Sequence, residues 1–504
     1  MQWQPVLEKE AQRARQVAIP QGDQPREQTP TTLPSLTGDG PLELSVEQAT
    51  LLALRNNRDL SVQELNPVIV GTYENIERGV FDPEAFARFE YQRESATQVS
   101  NSTGGQYSVK SDQYDAVAGV RERLPSGTDV EVNVRQGRTD SSRSPELQDA
   151  RVGLSVTQSI LRGFGPAVNL AGVRQARLDT LASQYELRGY VESLLADTEV
   201  AYWRFQLACE EIAIFQQSLD LARQQSDVIE QQIEVGSLAQ TEGAAAKAEV
   251  ALREQALINA RSEMEAARLR LLRLMNAGPQ GRLDRRVDAT SSAKIDPTPI
   301  DDIDERVSLA QKMRPDLNQA RMLLERDRLE TIVTKNGLLP RLDLFVVLGK
   351  TGYSSTFLDS FESIGDNDYD IAAGFTFSQY LNNRTAKARD LAARATRQQA
   401  AAAVSNLSQI VDMDVRLAVN EVERTRQQIA ASTVTRTYQE QTAQAEVERF
   451  KVGASTSLLV AQAQRDLLAS QIVEVESVVN YRIALVRLYV AEGSLLERRG
   501  IVLE

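Results

Sequence analysis

Side chains able to do covalent or proton chemistry are scarce in this chain of 504 residues, which has no histidine and a single cysteine, Cys209. Imidazole acid/base chemistry, Cys/His zinc sites and an intrachain disulfide are therefore out of reach. No nucleophile and base pair and no phosphate-binding loop stands out, so the chain reads as a non-enzyme with no cofactor and no metal. A net charge of −13 without a basic stripe argues against a nucleic-acid partner. What recurs at fixed spacing is a pair of turns. Val235-Gly236 returns as Val452-Gly453 and Ala201 as Ala418, both 217 positions on.

Those turns belong to a larger duplication. Arg58, Asp59 and Leu60 reappear as Arg314, Asp316 and Leu317, and Pro83 returns as Pro340, 257 positions later. The first copy thus carries about 40 residues more than the second, an internal two-fold sequence repeat far longer than a solenoid unit. Only 5% of the chain is aromatic, and Ala, Gln, Arg, Glu and Leu dominate, a balance that favours long helices over compact cores.

The elements that carry the turns can be read from periodicity. Val191, Leu194, Thr198, Ala201, Phe205, Ala208, Ile212, Phe215, Leu219, Ala222, Ser226, Ile229 and Ile233 alternate in steps of three and four, a coiled-coil seam. Val404, Ser408, Val411, Val415, Ala418, Val422, Thr425 and Ile429 form the second seam. Helices are expected over 166–232 and 384–450, each about 68 residues and roughly 100 Å long. Shorter ones, about 57 Å each, are expected over 44–80, 238–275, 303–337 and 455–494. Stacked end to end, a short pair matches a long one.

After Pro83 the period changes to two. Ala87/Phe89/Tyr91, Tyr114/Ala116/Ala118/Val120, Val130/Val132/Val134 and Val152/Leu154/Val156 alternate with polar or small residues in the first copy. Leu342/Leu344/Val346/Leu348 and Ile371/Ala373/Phe375/Phe377 do so in the second. One apolar and one polar face suits a transmembrane barrel and equally a half-buried soluble sheet. Strands joined directly to such rods have no evident soluble core to cover, which favours the barrel. The Ser-, Thr-, Asp-, Gly- and Asn-rich stretches 94–112, 137–149 and 350–368 read as outer loops.

In combination, "EQATLLALRNNRDL", "LLPRLDL", "VAYWRFQLA", "QIEVGSLAQTEGAAAKAE" and "RFKVGASTSLLVAQAQRDLL" resemble the TolC family of outer-membrane efflux proteins, from Leu42 to about Gly493. The resemblance implies an α+β membrane protein: a trimeric α-helical barrel of long coiled-coil helices, continuous with a transmembrane β-barrel. Its implied domains are a disordered tail over 1–42, repeat 1 over 43–276 with strands in 85–158, a linker over 277–302, repeat 2 over 303–495 with strands in 341–377, and a C-terminal tail over 496–504. It further implies a homotrimer in outer-membrane lipid, with its tunnel in the periplasm, passively conducting substrates from an inner-membrane pump through a periplasmic adaptor (membrane fusion) protein, in tripartite efflux or type I secretion. No signal peptide is visible in 1–42. Cys209, inside a long helix, is no lipid-attachment cysteine. A non-conducting coiled-coil scaffold of the cell envelope is the alternative.

The resemblance makes Glu234, Val235, Gly236, Ser237, Lys451, Val452, Gly453 and Ala454 the adaptor-contact tips, although a glycine ending a helix needs no partner to explain it. For the periplasmic gate it points to Thr241, Glu242, Phe450, Ser455, Leu459 and Gln462. The family places aspartates one and two turns past the second Val-Gly, where this chain has Leu459 and Gln462, so the acidic rings are missing and the nearest acid is Asp466. Leucines would close a pore by dewetting. Thr241 and Glu242 are expected to face Phe450 and Ser455, neither able to replace the polar ties of the family, giving a looser gate. The first copy reads as four strands against two, and the hairpin at about 113–136 is extra. Four strands per protomer, the family's number, would give a twelve-stranded barrel and six an eighteen-stranded one, unless the hairpin lies outside the wall.

Overall fold

The computed structural model describes residues 33–34, 40–99, 102, 104–275, 283–365 and 368–502. The greater part of the 1–42 tail and the start of the 277–302 linker lie outside the described residues. In chain order the elements begin with β1 (Leu42–Leu44), α1 (Val46–Asn56), α2 (Arg58–Gln63) and α3 (Leu65–Arg78). Four strands follow, β2 (Glu84–Val99), β3 (Gln106–Leu124), β4 (Thr128–Ser141) and β5 (Ser144–Ser159). Helices α4 (Pro166–Asn169), α5 (Ala171–Glu234) and α6 (Gln240–Met275) complete the first half. The second half has β6 (Val287–Ala289), α7 (Ile303–Met313), α8 (Pro315–Gly337), β7 (Arg341–Ser354), α9 (Phe357–Glu362) and β8 (Tyr369–Ser378). It ends with α10 (Arg384–Lys451), α11 (Ser457–Glu492) and α12 (Leu495–Arg498). The protein is mostly helical with one large sheet. It divides into two compact units, one of residues up to 66 with 184–319 and 404–504, the other of residues 67–183 and 320–403.

In the first unit, α5, α10 and α11 pack through Val191, Leu194, Val411, Val415, Val422, Leu485 and Leu488. Most seam positions of α5 are buried as the three-four spacing requires, Phe205 and Ile229 among them. A second stripe went unread: Leu195, Tyr202 and Trp203 are equally buried. The Tyr202 hydroxyl donates to the Leu44 carbonyl and accepts from the Ser291 N–H, each at 2.9 Å. This clamps β1, and the chain just after its parallel partner β6, against α5. Leu42 is therefore core rather than the end of a tail.

The short helices expected over 44–80 and 303–337 are broken. Asn57 leaves helical geometry at φ −66°, ψ 121° and caps the next helix by accepting from the Leu60 N–H at 2.9 Å. Arg314 also leaves helical geometry, at φ −57°, ψ 123°, because Pro315 disfavours the helical conformation of the residue before it. The C-terminal segment 496–504 is likewise no simple tail, since Leu496 and Arg498 of α12 are fully buried.

In the second unit, six strands form one antiparallel sheet in the order β2-β3-β4-β5-β7-β8. The extra hairpin lies inside it: β3 and β4 are paired across a turn at Gly127, φ +85°, between β2 and β5. Strand pairing also runs well into the stretches read as outer loops, with Val99 opposite Gln106 and Gln148 opposite Ser354. Both faces turn polar there, so alternation vanishes while the backbone ladder, which ignores side-chain polarity, continues.

Candidate functional site

The two hairpin turns have the same backbone. In the first, Gly236 takes φ +75°, its N–H donates to Ile233 at 3.0 Å, and the Ser237 N–H reaches back to Gln232 at 2.9 Å. In the second, Gly453 takes φ +77°, donates to Phe450 at 3.0 Å, and Ala454 reaches Arg449 at 2.8 Å. Each is a Schellman cap, which closes the open carbonyls of the last helical turn with a left-handed residue. Nothing lies within 4 Å of where a Cβ would stand on either glycine, so backbone conformation, not space, selects glycine. Beside them Val235 and Val452 are 80% and 79% exposed, and Glu234, Ser237, Lys451 and Ala454 are exposed too. Lys451 pairs with Glu448 of its own helix, at 2.8 Å.

Just behind the turns the two helix pairs are joined by a small apolar cluster. Phe450 is 9% exposed and packs with Ile229 and Val460, supported by Ile233, Leu238, Ala246 and Val447. Phe450 is thus a packing residue. The sequence sets Glu242 against Ser455 with no polar tie between them, but a tie is present: Glu242 accepts a hydrogen bond from Ser457. Ser455 instead donates to Glu446 at 2.7 Å, and that contact, with Arg449 nearby, holds the Glu446 carboxyl below its ordinary range. Ser457 sits two residues on from Ser455, at the first position of α11, where capping by Thr456 aims it across the hairpins. Thr241, Leu459 and Gln462 are exposed, Leu459 at 48%, with its N–H on the Thr456 hydroxyl. Asp466 is exposed as well.

The sheet separates its faces sharply. Ladder partners Ala85, Val120, Val132, Leu154, Leu348 and Ile371 run across all six strands on one face, and Ala87, Ala118, Val134 and Val152 run beside them. On the other face, Arg121 pairs with Glu84, Arg135 with Asp115 and Arg151 with Asp370. Large apolar residues stand open on the first face, Phe89 at 70%, Ile371 at 67% and Phe375 at 74% exposed. An uncovered apolar face of this extent marks contact with lipid or protein. No helix among the described residues is long and apolar enough to cross a membrane.

Sequence reading missed a cluster of buried charges. Glu492 accepts from Arg306 at 2.5 Å and from Arg498 at 2.7 Å, with all three side chains at most 2% exposed. Arg499 grips Glu199 at 2.7 Å. Arg188 faces two carboxyls, Glu497 at 2.6 Å and Glu192 at 3.3 Å. Burial pushes the Glu192 carboxyl up to about 8, against the pull of Arg188. Among the described residues no group of acidic, cysteine or histidine side chains could hold a metal.

Paired helix hairpins and a two-faced sheet define an outer-membrane channel type of protein. The outer membrane efflux protein family model matches residues 87–277 and 307–494, and the chain belongs to that family of TolC-like outer-membrane efflux channels. Among solved structures it is similar to the outer-membrane channel OprN, at 18% identity and a TM-score of 0.66, over 94% of this chain and 98% of that one. The CmeC outer-membrane channel of Campylobacter jejuni is 15% identical with a TM-score of 0.64, covering 89% and 86% of the two chains. The open state of MtrE from Neisseria gonorrhoeae is 18% identical with a TM-score of 0.62, covering 96% and 100%. Among curated protein sequences none matches. The shared fold is thus held by pattern rather than by identity.

Proposed function

We propose that this chain is the outer-membrane duct of a tripartite efflux or type I secretion system, a homotrimer whose strands share one barrel and whose helices share one periplasmic tunnel. The observation that carries this reading is the sheet with an exposed apolar face and an ion-paired polar face. It suits lipid outside and water inside. Conduction is passive. The exposed Val235 and Val452 turns are the docking points for a periplasmic adaptor, through which an inner-membrane pump delivers cargo.

The gate relies on packing. Phe450, Ile229 and Val460 hold the two hairpins together, Glu242 and Ser457 add one polar tie, and three copies of Leu459 narrow the mouth by dewetting. The test is single-channel conductance of detergent-purified protein in a planar bilayer, wild type against Leu459→Asp. Discrete steps that become more cation-selective in the variant are expected. A protein that stays soluble without detergent and never conducts would leave only a non-conducting envelope scaffold.

A further inference from the structure

We infer that all six strands of each copy cross the membrane, so that three copies close an eighteen-stranded barrel, wider than the twelve-stranded wall implied by the family's four strands per copy. The inference rests on the duct reading above and concerns the edges left open in one chain, β2 and β8. The occupant of each edge is a second copy of this chain.

Three observations point there. First, the hydrogen-bonded order leaves no strand aside. β3 and β4 pair with each other along fourteen residues, and their outer neighbours β2 and β5 continue the ladder on both sides. A hairpin lying outside the wall would require β2 to pair with β5 directly, and it does not. Second, the apolar face includes the extra strands. Val120 and Val132, on β3 and β4, share a ladder row with Ala85, Leu154, Leu348 and Ile371 and are 48% and 47% exposed. A hairpin in water would present polar groups on both faces.

Third, the apolar belt is staggered as a closed barrel demands. The row from Ala85 to Ile371 is the first belt residue of β2 and also the first of β8, but these two strands run in opposite directions. From that row the belt on β2 extends one way, to Tyr91, and on β8 the other way, to Phe377. Across the sheet the belt therefore slides by about six residues in five steps, and with ordinary strand spacings this is a strand tilt of about 40°. Tilts of 35–45° are what membrane barrels adopt. Six strands, an even number, also leave β8 antiparallel to β2, so the next copy continues the alternation without a break. At that tilt eighteen strands enclose a backbone diameter of about 36 Å, against about 24 Å for twelve. The ion-paired face of Glu84, Asp115, Arg121, Arg135, Arg151 and Asp370 would line it.

The experiment uses the full chain in a Cys209→Ser background, reconstituted as the oligomer in lipid vesicles. Ala373→Cys on β8 is combined with Phe89→Cys or Tyr91→Cys on β2 and oxidised, since facing pairs lie close enough to bridge. In parallel a spin label is placed at Val132→Cys, and its accessibility to oxygen and to a water-soluble nickel chelate is compared. A disulfide-linked trimer together with a label that oxygen reaches and nickel does not is the expected result. A linked trimer with a nickel-accessible label would put the β3–β4 hairpin in water, overturning eighteen strands while leaving the duct intact. Monomeric protein that neither links nor enters vesicles would overturn both.

Discussion

The charged cluster around Glu492 and the apolar cluster around Phe450 share one helix, α11, which carries both Glu492 and Val460, yet they are fastened by opposite means. At Glu492 one carboxylate sits between two buried guanidiniums, Arg306 and Arg498, and the Arg498 guanidinium also lies 4.5 Å from the centre of the Tyr489 ring. Behind the hairpin turns, three buried apolar side chains and one serine to carboxylate bond do the joining. Buried ion pairs hold a unique geometry and tolerate no loss of a partner, whereas a small apolar contact opens at modest cost. The difference fits the proposed duct, which would stay assembled along its length and yield at its mouth.

The contrast breaks most easily at Glu492. Replacing it by alanine leaves two arginines buried without their acid, a loss of about 4 kcal/mol. Denaturant unfolding should show the midpoint falling sharply, and an unchanged midpoint would mean that water already reaches the cluster. Phe450→Ala should cost about 3 kcal/mol, but locally. Amide exchange is expected to accelerate around Ile229, Ile233 and Val460 while the segments around Glu492 keep wild-type protection. Acceleration everywhere would erase the distinction between the two regions.

The smallest effect sharpens the comparison through pH. The Glu192 carboxyl stands at about 8 in the folded chain against 4.5 unfolded, because burial disfavours its charged form. Its neutral form therefore contributes fully below about pH 4.5, and that contribution is lost as pH rises through 8. Stability should therefore fall as pH rises across this window, and Glu192→Gln should flatten the slope. A wild-type curve as flat as that of the variant would mean that Arg188 pairs both acids at once.

Much of the fold was legible because it is local. The three-four spacing from Val191 to Ile233 could only be a helix with a buried stripe, and Phe205 and Ile229 are in fact core. The glycines at 236 and 453 end helices, since their backbone angles are costly for any residue with a Cβ. Period two near Phe89 and Val132 could only be strand. At the hairpin ends the sequence set Glu242 against Ser455 with no bond between them, whereas in the structure Glu242 goes to Ser457 and Ser455 turns back to Glu446. Only two positions separate Ser455 from Ser457, and only the packed arrangement of both hairpins fixes which of them meets Glu242.

By itself, then, the sequence determined the periods and the turns, which depend on neighbours a few positions away, and ruled out histidine chemistry and an intrachain disulfide by composition. Tertiary structure alone decided what depends on residues far apart. Leu42 is buried because Val287 pairs with it, Arg498 because Glu492 draws it inward, and the extra hairpin enters the sheet because β2 and β5 offer edges on both sides. Backbone edges and buried charges must find partners wherever the chain brings them, and no local pattern records which partner that will be.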